Sequence, residues 1–500
     1  MKKNKKVVRI VSVTYITVSC CYILWRLLFT MNPDQMIPSI VFFLTDIITV
    51  FSSVSFAVAI CWSTFRSKEP QFHENNKSVD VLIPTYNESL ELVAKTMSAC
   101  LNMDYPHNTY VLDDGNRTLF FAECEKLSIR YISRISNEGA KAGNLNNALR
   151  YTEGELLAVF DADFRPEKNF LVKLIGYFDD PNVAVVQIPQ NYYNHNYNSF
   201  QHRLLFNRWV YSEQDIFMHD IMPSRDACGA SYWIGTGAII RREAIESIGG
   251  FATSSVTEDV LTSMLLHEKG WKTVYIDEPL AYGMAPINIS QYFTQRHRWA
   301  QGAFQIFSHN NPLFKKNLSG MQKICYMASL NHFLEGAFKM VYYLFPALYL
   351  SFGIAPVKFS PLTIVGMLAY FLIGVAMTRP LMKSKSYYLI DEVYSIIRSP
   401  IYLMATPALF FGRNVSFCVT PKNNQNDILL RYVAGPLAIF SINLVVLLSA
   451  FLNPGYVLGN EALRWICAAW CLYTCTLAFV ACGFCFGRRK TALNDILTDD

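Results

Sequence analysis

Apolar residues in this chain form long uninterrupted runs near both ends and only short runs in the middle. The first two long runs, 7–30 and 37–62, are each long enough to cross the roughly 30 Å hydrocarbon core of a bilayer. Four more long runs follow the middle segment, at 324–353, 361–378, 429–452 and 464–484. The pattern predicts two membrane spans, a soluble domain and four further spans.

The middle of the chain alternates short apolar runs with helical stretches, which is typical of a doubly wound α/β sheet. Three apolar runs, 79–83, 110–112 and 156–160, are each followed by polar residues. Ligands bind at the carboxyl ends of strands in open α/β sheets, so a binding site is expected there. The predicted divisions are N-terminal spans at 1–66, a cytosolic domain at 67–312 and a membrane domain at 313–500.

Composition and charge agree with a membrane protein. The chain is 52% hydrophobic and 17% charged, too apolar for an ordinary soluble protein. Basic loops (MKKNKKVVR, TFRSK, RPLMKSKS, GRRK) alternate with loops that carry a single lysine between them, which puts the soluble domain and both termini in the cytosol. Topology then accounts for the net charge of +5, and no nucleic-acid partner is implied. A multi-pass plasma-membrane protein is expected.

The run at 156–160 ends in two carboxylates, Asp161 and Asp163. A carboxylate pair in a binding crevice favours a divalent cation, Mg²⁺ or Mn²⁺, that carries a diphosphate. Lys141 lies in a glycine-rich loop that leads into a helix, a natural phosphate contact. The alternatives are an ordinary turn for the aspartates and a solvated surface side chain for the lysine.

A second acidic pair, Glu258 and Asp259, stands just before a helical pattern that begins at Val260. Acids at this position often only stabilise the first turn of a helix. The functional alternative makes Asp259 a general base that takes a proton from an acceptor hydroxyl.

Six motifs occur in a fixed order, PTYNE, DDG, AKAGNLNNAL, DAD, TED and QRHRW. In this order the chain resembles the family 2 processive glycosyltransferases, bacterial cellulose synthase catalytic subunits in particular, from about residue 78 to residue 422. The resemblance implies a GT-A-type domain inserted in a helical membrane domain. It also implies inverting transfer from a UDP-sugar.

The resemblance assigns roles to matching residues. The catalytic base is Asp259, with Glu258 beside it, and the metal ligands are Asp161 and Asp163. The residues implied in binding the UDP-sugar are Thr85, Tyr86, Glu88, Asp113, Asp114, Lys141, Asp161, Gln295, Arg298, Thr420 and Lys422.

The QRHRW motif lies in a predicted interfacial helix at 290–308. On a 3.6-residue helix, one apolar stripe contains Phe293, Arg296, Trp299 or Ala300, Ala303, Phe304 and Phe307. The resemblance places Gln295, Arg298 and Trp299 where the cytosolic site meets the channel. There a tryptophan face suits a sugar ring, and an arginine neutralises the departing UDP. A helix that only lies on the membrane is the alternative.

The same resemblance implies an interfacial segment at 387–412 and a gating loop at 413–427. It also implies an acceptor site at Trp233, Gly235 and Thr236. There the sequence YWIGT departs from the family's FFCGS, which leaves the linkage open. The chain stops at Asp500, so no cyclic-di-GMP-binding domain is expected within it.

The predicted function is a membrane-embedded processive inverting β-glycosyltransferase. It would polymerise glucose from UDP-glucose into a β-glucan and move the growing polysaccharide across the lipid bilayer. The alternatives are a branched capsule-type glucan, a chitin-type or hyaluronan-type polymer, a non-processive enzyme that makes a lipid-linked sugar, and a transporter. Homo-oligomerisation and secretion partners cannot be read from the sequence.

Overall fold

The computed structural model describes residues 5–64, 76–194, 199–205, 209–384, 387–411, 430–452 and 461–486. The strands are β1 Val79–Thr85, β2 Asn108–Asp113, β3 Arg130–Ser133, β4 Leu156–Val159, β5 Arg165–Pro166, β6 Val183–Gln187, β7 Asn191–Tyr192, β8 His202–Leu205, β9 Trp209–Ser212, β10 Ala238–Arg241, β11 Lys272–Tyr275 and β12 Ala281–Gly283. The helices are α1 Lys5–Phe29, α2 Met36–Ser63, α3 Leu90–Leu101, α4 Thr118–Lys126, α5 Ala140–Ala148, α6 Phe170–Leu174, α7 Met222–Ala227, α8 Arg242–Ser247, α9 Glu258–Glu268, α10 Ile289–His309, α11 Gly320–Phe352, α12 Pro361–Thr378, α13 Tyr388–Ala405, α14 Ala408–Phe411, α15 Leu430–Leu452 and α16 Glu461–Phe486.

Seven strands form the central sheet in the order β11-β6-β10-β4-β1-β2-β3. Neighbours pair in parallel except β10, which runs antiparallel to both β4 and β6. The carboxyl ends of β1, β2 and β4 therefore meet at one edge of the sheet, where the sequence predicts the ligand.

The sheet is covered on both faces because its central strands β1 and β4 are mostly apolar and successive side chains point to opposite sides. In β1, Val81 and Ile83 enter one core cluster with α3 and α4, whereas Leu82 enters a second cluster with α5, α8 and α9. Strand β4 divides its side chains in the same way. The predicted doubly wound α/β domain is confirmed.

Among the described residues, five helices are long and apolar enough to cross a membrane, two before the sheet and three after it. Their bounds are Lys5–Phe29, Pro33–Ser63, Pro361–Leu381, Leu430–Leu452 and Glu461–Phe486. The helical membrane domain expected at both ends of the chain is therefore present.

The sixth predicted span, α11, differs from these five. It has 33 residues, which is long enough to cross, but polar side chains interrupt it. Asn331 donates hydrogen bonds to the Ile48 carbonyl and the Ser52 hydroxyl of α2. Lys339 forms a 2.9 Å ion pair with Glu392 of α13. These polar groups of α11 are paired with neighbouring helices, so this part of α11 faces protein. That α11 crosses the membrane stays a prediction.

Helices α10 and α13 join the α/β domain to the helices that are apolar enough to cross a membrane. The two pack against each other and share an apolar cluster with α11, α15 and α16. Helix α10 spans one residue more at each end than the predicted 290–308. Helix α13 has 18 residues and is not among the five apolar helices. The predicted gating loop at 413–427, with Thr420 and Lys422, lies outside the described residues.

Candidate active site

A cavity of about 690 Å³ lies where the carboxyl ends of β1, β2 and β4 face α9 and α10. Its wall contains most of the residues predicted for the site, although they come from motifs spread along the chain. The predicted residues that line it are Thr85, Tyr86, Glu88, Asp114, Lys141, Asp161, Asp163, Gly235, Glu258, Asp259, Gln295, Arg298 and Trp299.

The PTYNE motif forms a tight polar turn at the end of β1. The Glu88 carboxylate accepts a 2.8 Å hydrogen bond from the Thr85 hydroxyl and a 2.9 Å bond from the Tyr86 N–H. These bonds leave the Tyr86 ring at the surface, 40% exposed. The turn therefore presents an aromatic face at the cavity, which is suited to stacking against a planar base.

The two aspartates of the DDG motif have different positions. Asp113 is fully buried, and its carboxylate accepts hydrogen bonds from Arg117 and the Tyr131 hydroxyl. Asp114 lines the cavity and pairs with Arg134, whose Nη2 lies 2.7 Å from Asp114 Oδ2. Only Asp114 is placed to contact a ligand, whereas Asp113 braces the loop from behind.

The DAD motif follows β4 and meets Lys141 from the glycine-rich loop. Lys141 forms an ion pair with Asp161 and donates a 2.7 Å hydrogen bond to the Gly235 carbonyl. The described residues contain no group of three His, Cys, Asp or Glu side chains that could enclose a metal. Two carboxylates do fit Mg²⁺ or Mn²⁺ when substrate phosphates complete the shell. Asp161 and Asp163 therefore suit a metal that arrives with a diphosphate.

Glu258 and Asp259 lie in the first turn of α9. Asp259 Oδ1 accepts a 2.8 Å hydrogen bond from the Val260 N–H. Burial, together with the adjacent Glu258 carboxylate, raises the pKa of Asp259 to about 7, and burial also raises the pKa of Glu258. A carboxylate with a pKa close to the working pH has the property that a general base needs.

A glycine lets Asp259 approach the DAD motif. Gly235 has φ +92°, and a Cβ at this position would lie 3.3 Å from Asp259 Oδ2 and 3.8 Å from Lys141 Nζ. A side chain would therefore be strained in the backbone and would crowd both groups. Gly235 keeps open the space between the acid of α9 and the lysine of the phosphate loop.

Helix α10 supplies the opposite wall through Gln295, Arg298 and Trp299. Trp299 is backed by Arg296, whose guanidinium carbon lies 4.4 Å from the tryptophan ring centroid. A guanidinium over an aromatic face is a favourable contact that restricts the ring. Arg296 was predicted as part of the apolar stripe, and the structure instead gives it this supporting position.

The same helix holds the loop that precedes Asp259. A Cβ at Gly302 would come within 2.3 Å of the Thr257 hydroxyl oxygen, so the helix and the loop touch without a side chain between them. Gln305 accepts a 3.0 Å hydrogen bond from the Val256 N–H. The position of the TED motif is thereby tied to the helix that carries QRHRW.

Sequence reasoning missed a buried ion-pair cluster behind α10. Glu213, just after β9, accepts a 3.0 Å hydrogen bond from Arg296, a 2.7 Å bond from the Tyr292 hydroxyl and a further bond from Arg398 of α13. Although burial opposes it, the two arginines lower the pKa of Glu213 to about 2. No motif marks Glu213, because its partners are distant in the sequence and meet it only in the fold.

Two of the predicted acceptor residues lie behind the cavity wall. Trp233 is fully buried against Phe251 in the core of the domain. Thr236 is also buried, and its hydroxyl accepts a 2.9 Å hydrogen bond from the Asp161 N–H. Both residues therefore shape the wall from behind, and only Gly235 of the three predicted residues lines the cavity.

This fold is the GT-A-type α/β fold of glycosyltransferases. The chain superimposes on the mannosyltransferase PcManGT from Pyrobaculum calidifontis, solved in complex with GDP-Man and Mn²⁺, with a TM-score of 0.56 and 18% identity over 75% of this chain and 99% of that one. Residues 156–377 match the model of the Glycosyl transferase family group 2. This part of the chain is thus similar to the family 2 glycosyltransferases.

Bacterial cellulose synthases are among its relatives. The chain is 38% identical to the cellulose synthase catalytic subunit of Pseudomonas fluorescens over 64% of this chain and 44% of the relative. It is 32% identical to the cellulose synthase 1 catalytic subunit of Komagataeibacter xylinus over 84% of this chain and 58% of the relative. The chain spans less than two thirds of the length of each of these two relatives. The predicted resemblance to the cellulose synthase group is confirmed.

Proposed function

We propose that this protein is a processive inverting β-glycosyltransferase that polymerises glucose from UDP-glucose into a β-glucan and moves the product across the plasma membrane. One observation carries the proposal. Residues of all six motifs, from Thr85 to Trp299, line a single cavity in a chain whose described residues include five helices that are apolar enough to cross a membrane. The cellulose synthases among its relatives support glucose as the sugar and a glucan as the product.

In the proposed reaction Asp259 removes a proton from a hydroxyl of the acceptor chain. That oxygen forms a bond to C1 of the donor sugar as the bond from C1 to the UDP oxygen breaks. The single displacement inverts an α-linked donor into a β-linked product. Lys141 and Arg298 line the cavity, and they would offset the negative charge of the departing UDP. Asp161 and Asp163 would hold Mg²⁺ or Mn²⁺, which neutralises the diphosphate when bound.

The proposed topology places the cavity and both termini in the cytosol, where UDP-sugars are made available to the enzyme. Trp299 would then stack on the terminal sugar of the chain at the entrance to the membrane domain. Thr420 and Lys422 of the proposed gating loop would reach the phosphates. In this proposal the protein contacts the lipid bilayer directly. It binds the growing polysaccharide in addition to UDP-glucose.

Product analysis tests the proposal. The purified protein, reconstituted in lipid, is incubated with UDP-glucose and Mg²⁺ or Mn²⁺, and the product is characterised by linkage analysis. We expect a β-linked glucose polymer and the release of UDP, both abolished by EDTA and by Asp163→Ala. Polymer formed only from UDP-GlcNAc, or from UDP-GlcNAc with UDP-glucuronate, would replace the glucan with a chitin-type or hyaluronan-type product. A single sugar on a lipid would indicate the non-processive alternative.

Substitutions at Trp299 test whether this residue binds the acceptor chain during polymer synthesis. If Trp299 stacks on the acceptor, Trp299→Ala should lose polymer while it retains UDP affinity. Trp299→Phe should retain part of the yield because it keeps an aromatic face, and Trp299→Leu should not. Full polymer yield from Trp299→Leu would reduce Trp299 to an apolar anchor of α10.

A further inference from the structure

The cavity wall formed by α10 contains a buried amide that the rest of the described chain leaves unsatisfied. Gln291 is 4% exposed and lines the cavity. Its Nε2 has no hydrogen-bond partner among the described residues. An unsatisfied buried donor is destabilising, and nearly all buried polar groups in proteins are paired. The position therefore calls for a partner that the chain itself does not supply.

Hydrogen bonds of the side-chain oxygen and the backbone N–H hold Gln291 in place. Gln291 Oε1 accepts a 3.0 Å hydrogen bond from the Ile287 N–H. The Gln291 backbone N–H donates a 2.9 Å bond to Oδ1 of Asn288, which caps the helix. Because the oxygen is committed to Ile287, the NH₂ group must point elsewhere. A donor that is preorganised in this way needs little reordering to bind a ligand.

A second unsatisfied group lies one helical turn further along. Gln295 Oε1 is buried without a partner among the described residues, and Gln295 also lines the cavity. Residues four apart share a helix face and are separated by about 6 Å along the axis. The wall thus presents an amide donor, then an amide acceptor, then the Trp299 ring. A hydroxyl both donates and accepts hydrogen bonds, so this row suits a molecule rich in hydroxyls.

We propose that Gln291 is a specificity-determining residue whose amide donates a hydrogen bond to a hydroxyl of a sugar ring held in the cavity. This inference rests on the proposed function and adds a recognition residue outside the QRHRW motif. Gln291 lies about 12 Å from Trp299 along the helix, a distance longer than one hexose ring. The sugar that Gln291 contacts is therefore a different unit from one stacked on Trp299.

The test measures coupling between the amide and individual hydroxyls. Turnover is compared for UDP-glucose and its 2-, 3-, 4- and 6-deoxy analogues with the full-length protein and with Gln291→Met, which keeps the length of the side chain and removes the amide. We expect the unmodified protein to disfavour one analogue by about tenfold, and Gln291→Met to lose that preference at this hydroxyl alone. UDP affinity should be unchanged.

Two controls separate recognition from folding. Gln301 is on the same helix but not in the cavity wall, so Gln301→Met should preserve the full pattern of preferences. Gln291→Glu keeps an oxygen that can accept the hydrogen bond from the Ile287 N–H but has no N–H to donate. It therefore separates loss of the donor from loss of the contact with Ile287. If Gln291→Met changed turnover of all the analogues by the same factor, the residue would only support the helix, and the inference would be overturned.

The donor and the acceptor are separated by a second arm. The same comparison is made with UDP-glucose and short gluco-oligosaccharides in which a glucose behind the non-reducing terminal unit lacks one hydroxyl. Coupling in the first arm identifies the donor sugar, coupling in the second identifies the acceptor, and coupling in neither arm refutes the inference. If the unmodified protein uses another UDP-hexose, the proposed glucan fails, and the deoxy series of that hexose still tests Gln291.

Discussion

Two acidic side chains, Glu213 and Asp259, lie on opposite sides of α10, and their pKa values shift in opposite directions. Glu213 lies behind the helix, where Arg296 and Arg398 lower its pKa to about 2. Asp259 lies on the cavity side, where burial and the adjacent Glu258 raise its pKa to about 7. The Glu213 side chain is almost fully buried and Asp259 is partly buried in the cavity wall, and the charged neighbours of the two groups differ. The charge partner decides whether a buried acid is a permanent anion or a proton acceptor.

The difference indicates a structural role for Glu213 and a catalytic role for Asp259. Glu213 joins the α/β domain to α10 and α13, and its partner Arg296 lies against the Trp299 ring. It is a positioning residue, because it touches no part of the cavity wall. Asp259 lines the cavity, where Lys141 and Arg298 lower its pKa by less than burial and the adjacent Glu258 raise it. Four predictions test this division, in order of decreasing effect.

Glu213→Gln should cause the largest loss. It leaves Arg296 and Arg398 buried without their counter-charge, which typically costs about 3–5 kcal/mol. Thermal unfolding followed by tryptophan fluorescence should show a markedly lower Tm. The control is Glu278→Gln, whose half-exposed ion pair with Lys173 is worth no more than about 1 kcal/mol. Equal Tm values for the two variants would contradict a structural role for Glu213.

Asp259→Asn should do the reverse, reducing turnover by about 10²-fold or more because the amide cannot accept the proton. UDP affinity should persist. The Tm should stay the same or rise, since burial disfavours the carboxylate that the substitution removes. A variant with near-normal turnover would return Asp259 to the role of a first-turn helix acid.

The two acids should also separate in their pH dependence. Asp259 must be ionised to act, and its pKa is raised, so kcat/KM should fall about tenfold per pH unit below about 7. Glu213 has a lowered pKa, so its contribution to stability is present above its ordinary value of 4.5 and is lost as the pH falls towards 2. Activity should therefore disappear in a range where the fold persists. An activity profile that stays flat down to pH 5 would exclude a raised pKa for the base.

Gly302→Ala should give the smallest effect, through the contact between α10 and the loop before Asp259. The new methyl group would meet Thr257 and displace the base slightly, which we expect to lower kcat about fivefold. Gly483→Ala is the matched control, because its added Cβ would meet no heavy atom within 4 Å in α16. Unchanged kcat in Gly302→Ala would show that the helix does not position Asp259.

Local patterns explain what could be predicted of the fold. Strands β1, β2 and β4 were recognisable because each is a short apolar run followed at once by polar residues, and the membrane helices because a span needs about 20 apolar residues. The interfacial helix α10 was visible from its 3.6-residue period. Within the site, Asp161, Asp163 and Lys141 were found because each stands next to a predicted element end.

The sequence by itself determined which elements form and which polar residues lie at their ends, because both depend on neighbouring residues. Only the tertiary structure decided which of two adjacent aspartates reaches the cavity, since Asp113 turns to Arg117 and Asp114 does not. It also decided that Glu213 would meet arginines 83 and 185 residues away. The same holds for the pKa of Asp259, because burial and charge partners are properties of packing and are set by contacts that no local pattern encodes.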